Sequence, residues 1–190
     1  MRTEEFNDYL RDHKIAVLSV YDAAKITSMP VAYASKFLAR DRYLKRAERG
    51  VYYTKDANEY EAASRILFPS YVSLVSALRF HNLTEQIPRR IYVVGIRQHK
   101  AIANLNGYIV EFSKAKKELM YGYGKVDGVF VADPEKAVID MLYFNRFVGY
   151  AEEAVESGKL DRAKLERYAK QSGVAGIVKR IKVMLDADKR

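Results

Sequence analysis

Cysteine is absent from the 190 residues, which excludes disulfides, thiolate metal sites and a cysteine nucleophile. Histidine is scarce: His13, His81 and His99 are the whole supply. They are too few and too scattered for a metal cluster of recognisable spacing, so neither a metal site nor a cofactor is expected. His81, near the end of an expected helix, reads as a buried structural hydrogen bonder rather than a ligand or base. No run of 18 or more apolar residues occurs, which argues against a membrane-spanning helix. The opening Met1-Arg2-Thr3-Glu4-Glu5 is charged with no apolar run behind it. No signal peptide is therefore expected, and the expected location is cytoplasmic.

Catalytic signatures are missing as well. Glu-x-Lys, half of a divalent-ion nuclease core, occurs nowhere. The stretch from Tyr121 to Gly128 has the glycines of a phosphate loop but neither a Gly-Lys-Ser/Thr ending nor a following helix, and it reads as a Gly-rich hairpin. Ser70, Ser73 and Ser76 fall at a spacing of three on an expected helix, a pattern of close helix packing rather than of a nucleophile. No catalytic residue is expected. Internal repeats and low-complexity linkers are also lacking.

What the chain has in excess is positive charge: 33 Lys and Arg against 24 Asp and Glu, a formal net charge of +9. Such a balance favours a polyanionic partner, because neutralising phosphates releases counterions. The charge is concentrated. Residues 28–55 hold seven cations (Lys36, Arg40, Arg42, Lys45, Arg46, Arg49 and Lys55) against Asp41 and Glu48, whereas residues 1–27 are slightly acidic. Two further basic regions lie at 89–125 and 159–190. They read as a solvated surface, a second DNA-backbone contact or a dock for an acidic protein.

The basic segment sits in a recognisable pattern. Thr3 to His13 predicts a helix with Thr3 as its cap, followed by the apolar run Ile15 to Val20. Asp22 can cap a short helix over Ala23 to Ile26; Ser28-Met29-Pro30 breaks it, and a third helix runs from Pro30 to about Arg42. Two helices joined by such a turn make a helix-turn-helix. In the third helix Val31, Ala34, Phe37 and Leu38 are expected to pack inward. The outer arc of Ala32, Tyr33, Ser35, Lys36, Ala39 and Arg40 has the small, hydroxylated and cationic side chains that can enter a major groove. Tyr43 to Tyr53 then alternates and turns at Glu48-Arg49-Gly50, predicting a hairpin that would serve as a wing. The expected base readers are Ser28, Tyr33, Ser35 and Lys36, and the expected phosphate contacts are Lys36, Arg40, Lys45, Arg46 and Arg49.

Residues 1–58 are thus expected to form a winged helix-turn-helix, and 59–190 a second, α+β domain with a small, mostly antiparallel sheet and C-terminal helices. Within it Asp56 to Leu67 reads as a helical connector with Glu59, Tyr60, Ala63, Ile66 and Leu67 on its apolar side, and Pro69 to Leu83 as a buried helix. Strands are expected at Arg90 to Ile96 and Tyr108 to Phe112, the latter after the Asn106-Gly107 turn, and a hairpin over Leu119 to Tyr123 and Gly128 to Ala132. Asp133-Pro134-Glu135 opens a helix to about Phe144, with Ala137, Val138, Met141 and Leu142 inward. From Tyr150 to Arg190 come two or three helices broken at Ser157-Gly158 and Ser172-Gly173.

Several of these segments together resemble a known family, the AbiEi-type antitoxins, transcriptional regulators of abortive-infection toxin–antitoxin systems. The likeness is carried by Arg49-Gly50-Val51-Tyr52, by Pro69-Ser70-Tyr71-Val72-Ser73-Leu74 running into Ala77 to Leu83, by Ile91 to Val94, and by Asp133 to Asp140. It covers residues 1–145. The chain departs from the family pattern at Asp41, where an apolar residue is usual. The resemblance implies a repressor of its own operon that binds inverted repeats in double-stranded DNA and counteracts a cognate nucleotidyltransferase-type toxin. Other readings of the same residues are a stand-alone transcription factor without a toxin, an interaction module whose winged helix binds protein, and a nucleic-acid enzyme with an unrecognised site.

Overall fold

A computed structural model describes residues 1–86 and 89–187; the expected cations Lys189 and Arg190 lie outside the described residues. The first helix, α1 (Thr3–Asp12), is capped at Arg2 rather than at Thr3, because Glu5 turns back to accept from the Arg2 amide at 2.9 Å. It buries Phe6 and Leu10. Strand β1 (Val17–Ser19) leads directly into α2 (Val20–Thr27). The sequence expectation placed the cap at Asp22; the cap is Ser19, and Asp22 is the third helical residue of a reciprocal capping box. Helix α3 (Val31–Arg40) follows, then strands β2 (Leu44–Glu48) and β3 (Val51–Thr54).

These three strands form one antiparallel sheet in the order β1-β3-β2. Successive strand residues face opposite ways, and here each face has its own core. Tyr52 packs with Phe6, Leu10, Leu18, Ala34, Leu38 and Leu44 against the helices, while Tyr53 joins the larger cluster built by the rest of the chain.

The rest is mixed α and β. Helix α4 (Glu59–Ile66), capped by Asn58, buries Ala62, Ala63 and Ser64; of the expected apolar side Ala63 and Leu67 are buried, while Glu59, Tyr60 and Ile66 are half-buried. The helix expected over 69–83 is divided: Ser70–Val72 is strand β4, Ser73 is a cap, and only Leu74–Phe80 (α5) is helical. All three residues of β4 are buried, so its pattern carries no period of two to set it apart from a buried helix. The three serines therefore lie in a strand, at a cap and in a helix.

Next come β5 (Arg90–Gly95), β6 (Ile102–Leu105), β7 (Tyr108–Lys114), a single 3-10 turn at Lys117–Leu119, β8 (Tyr123–Val126) and β9 (Val129–Ala132). The hairpin expected to begin at Leu119 thus begins at Tyr123. With β4 they form one six-stranded sheet, ordered β6-β7-β5-β4-β9-β8. Three of its five pairings are antiparallel, as expected, but at six strands it is larger than expected and mixed: β5 pairs with β7, and β4 with β9, in parallel. The local turns Asn106-Gly107 and Asp127-Gly128 announce the two hairpins, but no local signal announces pairs between strands far apart in sequence.

Helices α6 (Pro134–Phe144), α7 (Val148–Glu156), α8 (Arg162–Gln171) and α9 (Ala175–Ala187) complete the chain, broken at the two expected Ser-Gly pairs. Helix α6 is buried from Glu135 through Leu142, with α5 beside it and α7, α8 and α9 packed against it. Its burial takes in Lys136 and Asp140 at 0 % exposure, charges that the sequence pattern left unmarked. They form an i,i+4 ion pair with each other. Asp140 Oδ2 also accepts from the Ser73 hydroxyl at 2.7 Å and the Tyr71 hydroxyl at 3.1 Å, and the Lys136 ammonium lies 4.7 Å from the Tyr121 ring centroid. Buried charge persists only when paired and hydrogen-bonded in this way. Burial and the nearby carboxylate push the Tyr71 hydroxyl well above its ordinary pKa, so it stays a donor. The glycine-rich stretch packs beside this network. Gly122 (φ +64°) sits where a Cβ would meet the Tyr168 ring at 2.8 Å, which is a packing reason for glycine rather than a phosphate loop.

Candidate nucleic-acid interface

Helix α2 ends at Ser28 in the left-handed region (φ 57°), and Pro30, extended at ψ 143°, starts α3 in a new direction. Ala34 and Leu38 anchor α3 in the core, and Phe37 meets Phe6 edge-on at 5.2 Å. That fixes which arc faces outward. At about 100° per residue, positions 31, 32, 35 and 39 span one half of the arc and positions 33, 36 and 40 the other. Val31 was expected inside; it is 43 % exposed at the first helical position. The periodicity that selected it holds, but at the helix end the core does not reach round to it.

The β2–β3 hairpin stands beside the first half of the arc. Gly50 (φ +80°) makes its turn, and the Gly50 carbonyl accepts from the Val20 amide at 2.9 Å, tying the turn to the start of α2. A bulge between Arg46 and Glu48 bends β2, and Arg46 Nε donates to the Glu48 carbonyl at 3.1 Å. Between helix and hairpin lies an open groove of about 780 Å³ bordered by Tyr21, Val31, Ala32, Ser35, Arg46 and Arg49.

The expected site residues divide into three groups. Ser35, Arg46 and Arg49 share the groove. Tyr33 and Lys36 occupy the neighbouring strip of α3, the ammonium 6.0 Å from the ring centroid, and Ser28 is exposed at the turn outside the groove. Arg40 and Lys45 point elsewhere. Arg40 lies in a separate depression against α1, beside Arg42 and Lys55. Lys45 is on the opposite face of the hairpin, where its ammonium and the Tyr53 hydroxyl both donate to Asn106 Oδ1 at 2.7 and 3.1 Å. Neighbours on a strand face opposite ways, so the Lys45-Arg46 pair could not both serve one surface.

Sequence reasoning missed Tyr21 and Val31 in the groove. The signal for Tyr21 was its place in the capping segment Ser19-Val20-Tyr21-Asp22, which exposes it on the side opposite Ala23. Asp41, where the resembled family is apolar, is buried. Its Oδ1 accepts from the Tyr43 amide at 2.8 Å and from Asn7 at 3.3 Å, so it joins the end of α3 to α1.

Among the described residues none of Lys36, Arg40, Arg46 and Arg49 forms an ion pair. Arg90 in the second basic region is bound to Glu111 at 3.0 Å, and Lys164 in the third to Asp133 at 3.0 Å. Glu48, at the hairpin turn, faces His99 Nε2 at 3.0 Å. His81, expected to be buried, is half-buried and bonds through Nε2 to the Ala132 carbonyl at 2.9 Å. Among the described residues no group of three or more His, Cys, Asp or Glu could hold a metal ion, and no helix is long and apolar enough to cross a membrane.

Neither a protein-family model nor a curated protein matches the chain.

Proposed function

We propose that the chain is a sequence-specific, duplex-DNA-binding transcriptional regulator in which residues 1–58 act as a winged helix-turn-helix. On this reading α3 enters the major groove and the β2–β3 hairpin is the wing. The observation that carries it is the groove between them, walled by the unpaired cations Arg46 and Arg49 with the exposed Ser35 beside them. An α-helix fits a major groove about 12 Å wide, and unpaired guanidinium groups at its flank suit the phosphates that line it. Lys36 is the further contact from the outer strip of α3. The resemblance to AbiEi-type antitoxins extends the proposal to repression of the chain's own operon and neutralisation of a nucleotidyltransferase-type toxin.

An anisotropy titration of the full chain against duplex from upstream of its own coding sequence and against random duplex tests the reading. The upstream duplex should bind at least about a thousandfold more tightly at physiological salt, the low end for specific regulators. Equal affinity for both would turn the choice toward a module whose hairpin and α3 bind protein.

A further inference from the structure

Eight large hydrophobic side chains stand exposed among the described residues, and three of them, Tyr21, Val31 and Tyr33, lie on α2 and α3. Scattered exposed apolar side chains mean little. These are not scattered: Tyr21 and Val31, with Ala32 and Ala39, border the same groove as Arg46 and Arg49. An apolar lining flanked by cations suits a partner whose apolar groups are recessed between anionic rims. Duplex DNA has that chemistry in its major groove, where the one apolar group on any base edge is the thymine C5-methyl.

We propose that Val31 and Ala32, in the first turn of α3, read thymine methyl groups, so that the preferred site carries thymine at one or two fixed positions. The inference rests on the DNA-binding reading above and adds which chemical group is read. The first turn is the part of such a helix that comes nearest to base edges. Val31 has its exposed side free of the core, and Ala32 is short enough to let the base approach. Ser35, one turn on, offers a hydroxyl to the neighbouring base edge.

The test selects preferred sites from a randomised duplex pool with the full chain, then exchanges each thymine in turn for deoxyuridine. The exchange removes one methyl group and leaves the pairing edge intact. At one or two positions affinity should fall roughly fourfold, the worth of one buried methyl-sized group. Val31→Ala, at an exposed position, should shrink that penalty by about half or more and leave the salt dependence as it was. Deoxyuridine tolerated everywhere, or a penalty unchanged in Val31→Ala, overturns the inference while tight duplex binding leaves the DNA-binding reading standing. Absence of any salt-dependent duplex binding overturns both.

Discussion

Replacing Arg46 and Arg49 together by alanine should weaken binding to every duplex, preferred or random, roughly fiftyfold at about 0.1 M salt, and flatten the plot of log affinity against log salt by about 1.8 units. Both figures follow from counterion release at about 0.9 per phosphate contact. Both side chains border the groove and neither forms an ion pair among the described residues. The loss should be uniform across sequences, because phosphate contacts position the protein without reading bases. Lys45→Ala is the contrast within the same hairpin. Its ammonium is held by Asn106 on the far face, so the salt slope should not change. A slope unaltered by the double replacement would remove the hairpin from the account.

The second large effect belongs to stability. Lys136→Met should cost about 3–5 kcal/mol, because it leaves Asp140 buried without its partner. Asp140 is 0 % exposed, and removing the ammonium leaves only the Ser73 and Tyr71 hydroxyls to satisfy it. Burial already raises the Asp140 carboxyl above its ordinary pKa, opposed chiefly by Lys136. Without Lys136 the folded chain keeps a proton that the unfolded chain releases. The stability tied to that proton is complete below the ordinary carboxylate range, about pH 4, and drains as pH rises through the raised folded value. Urea unfolding across pH should therefore show the variant losing stability with rising pH more steeply than the parent chain. Replacing both residues, as Lys136→Met with Asp140→Leu, should recover much of the loss, since an apolar pair of similar volume avoids desolvating charge. A loss no smaller in the double variant would show that the network holds the fold by shape rather than by charge.

Much of the N-terminal part was legible in the sequence because its signals are local. Gly50 marks the hairpin turn, Pro30 the start of α3, and the arc of Ser35, Lys36 and Arg40 stays outward because Ala34 and Leu38 must be inward. What failed there failed for a reason of direction. Lys45 and Arg46 count equally in a charge sum, yet strand alternation sends one to Asn106 and the other to the groove. The register that decides it, Lys45 opposite Tyr53 and Arg46 opposite Tyr52, was not written in the charge. In the second part the β8–β9 hairpin, the Asn106-Gly107 turn and the helix breaks were legible, but β4, β6 and the parallel pairs were not. A strand buried on both faces loses its alternation, and its partners are set by strands far along the chain. Lys136 and Asp140 were hidden most thoroughly. An i,i+4 pair of opposite charge normally marks a solvated helix face; here α5, α7, α8, α9 and β9 pack around α6, and Ser73 and Tyr71 bond to Asp140.

On the proposed function, duplex DNA lies against α3 and the hairpin turn. Backbone amide shifts of the labelled full chain, followed as a selected duplex is added, test it residue by residue. The largest changes should fall on residues 31–36 and 46–50, with the Lys45–Asn106 side of the hairpin little affected. Changes confined to α8 and α9, or an unperturbed α3 in a saturated complex, would contradict it.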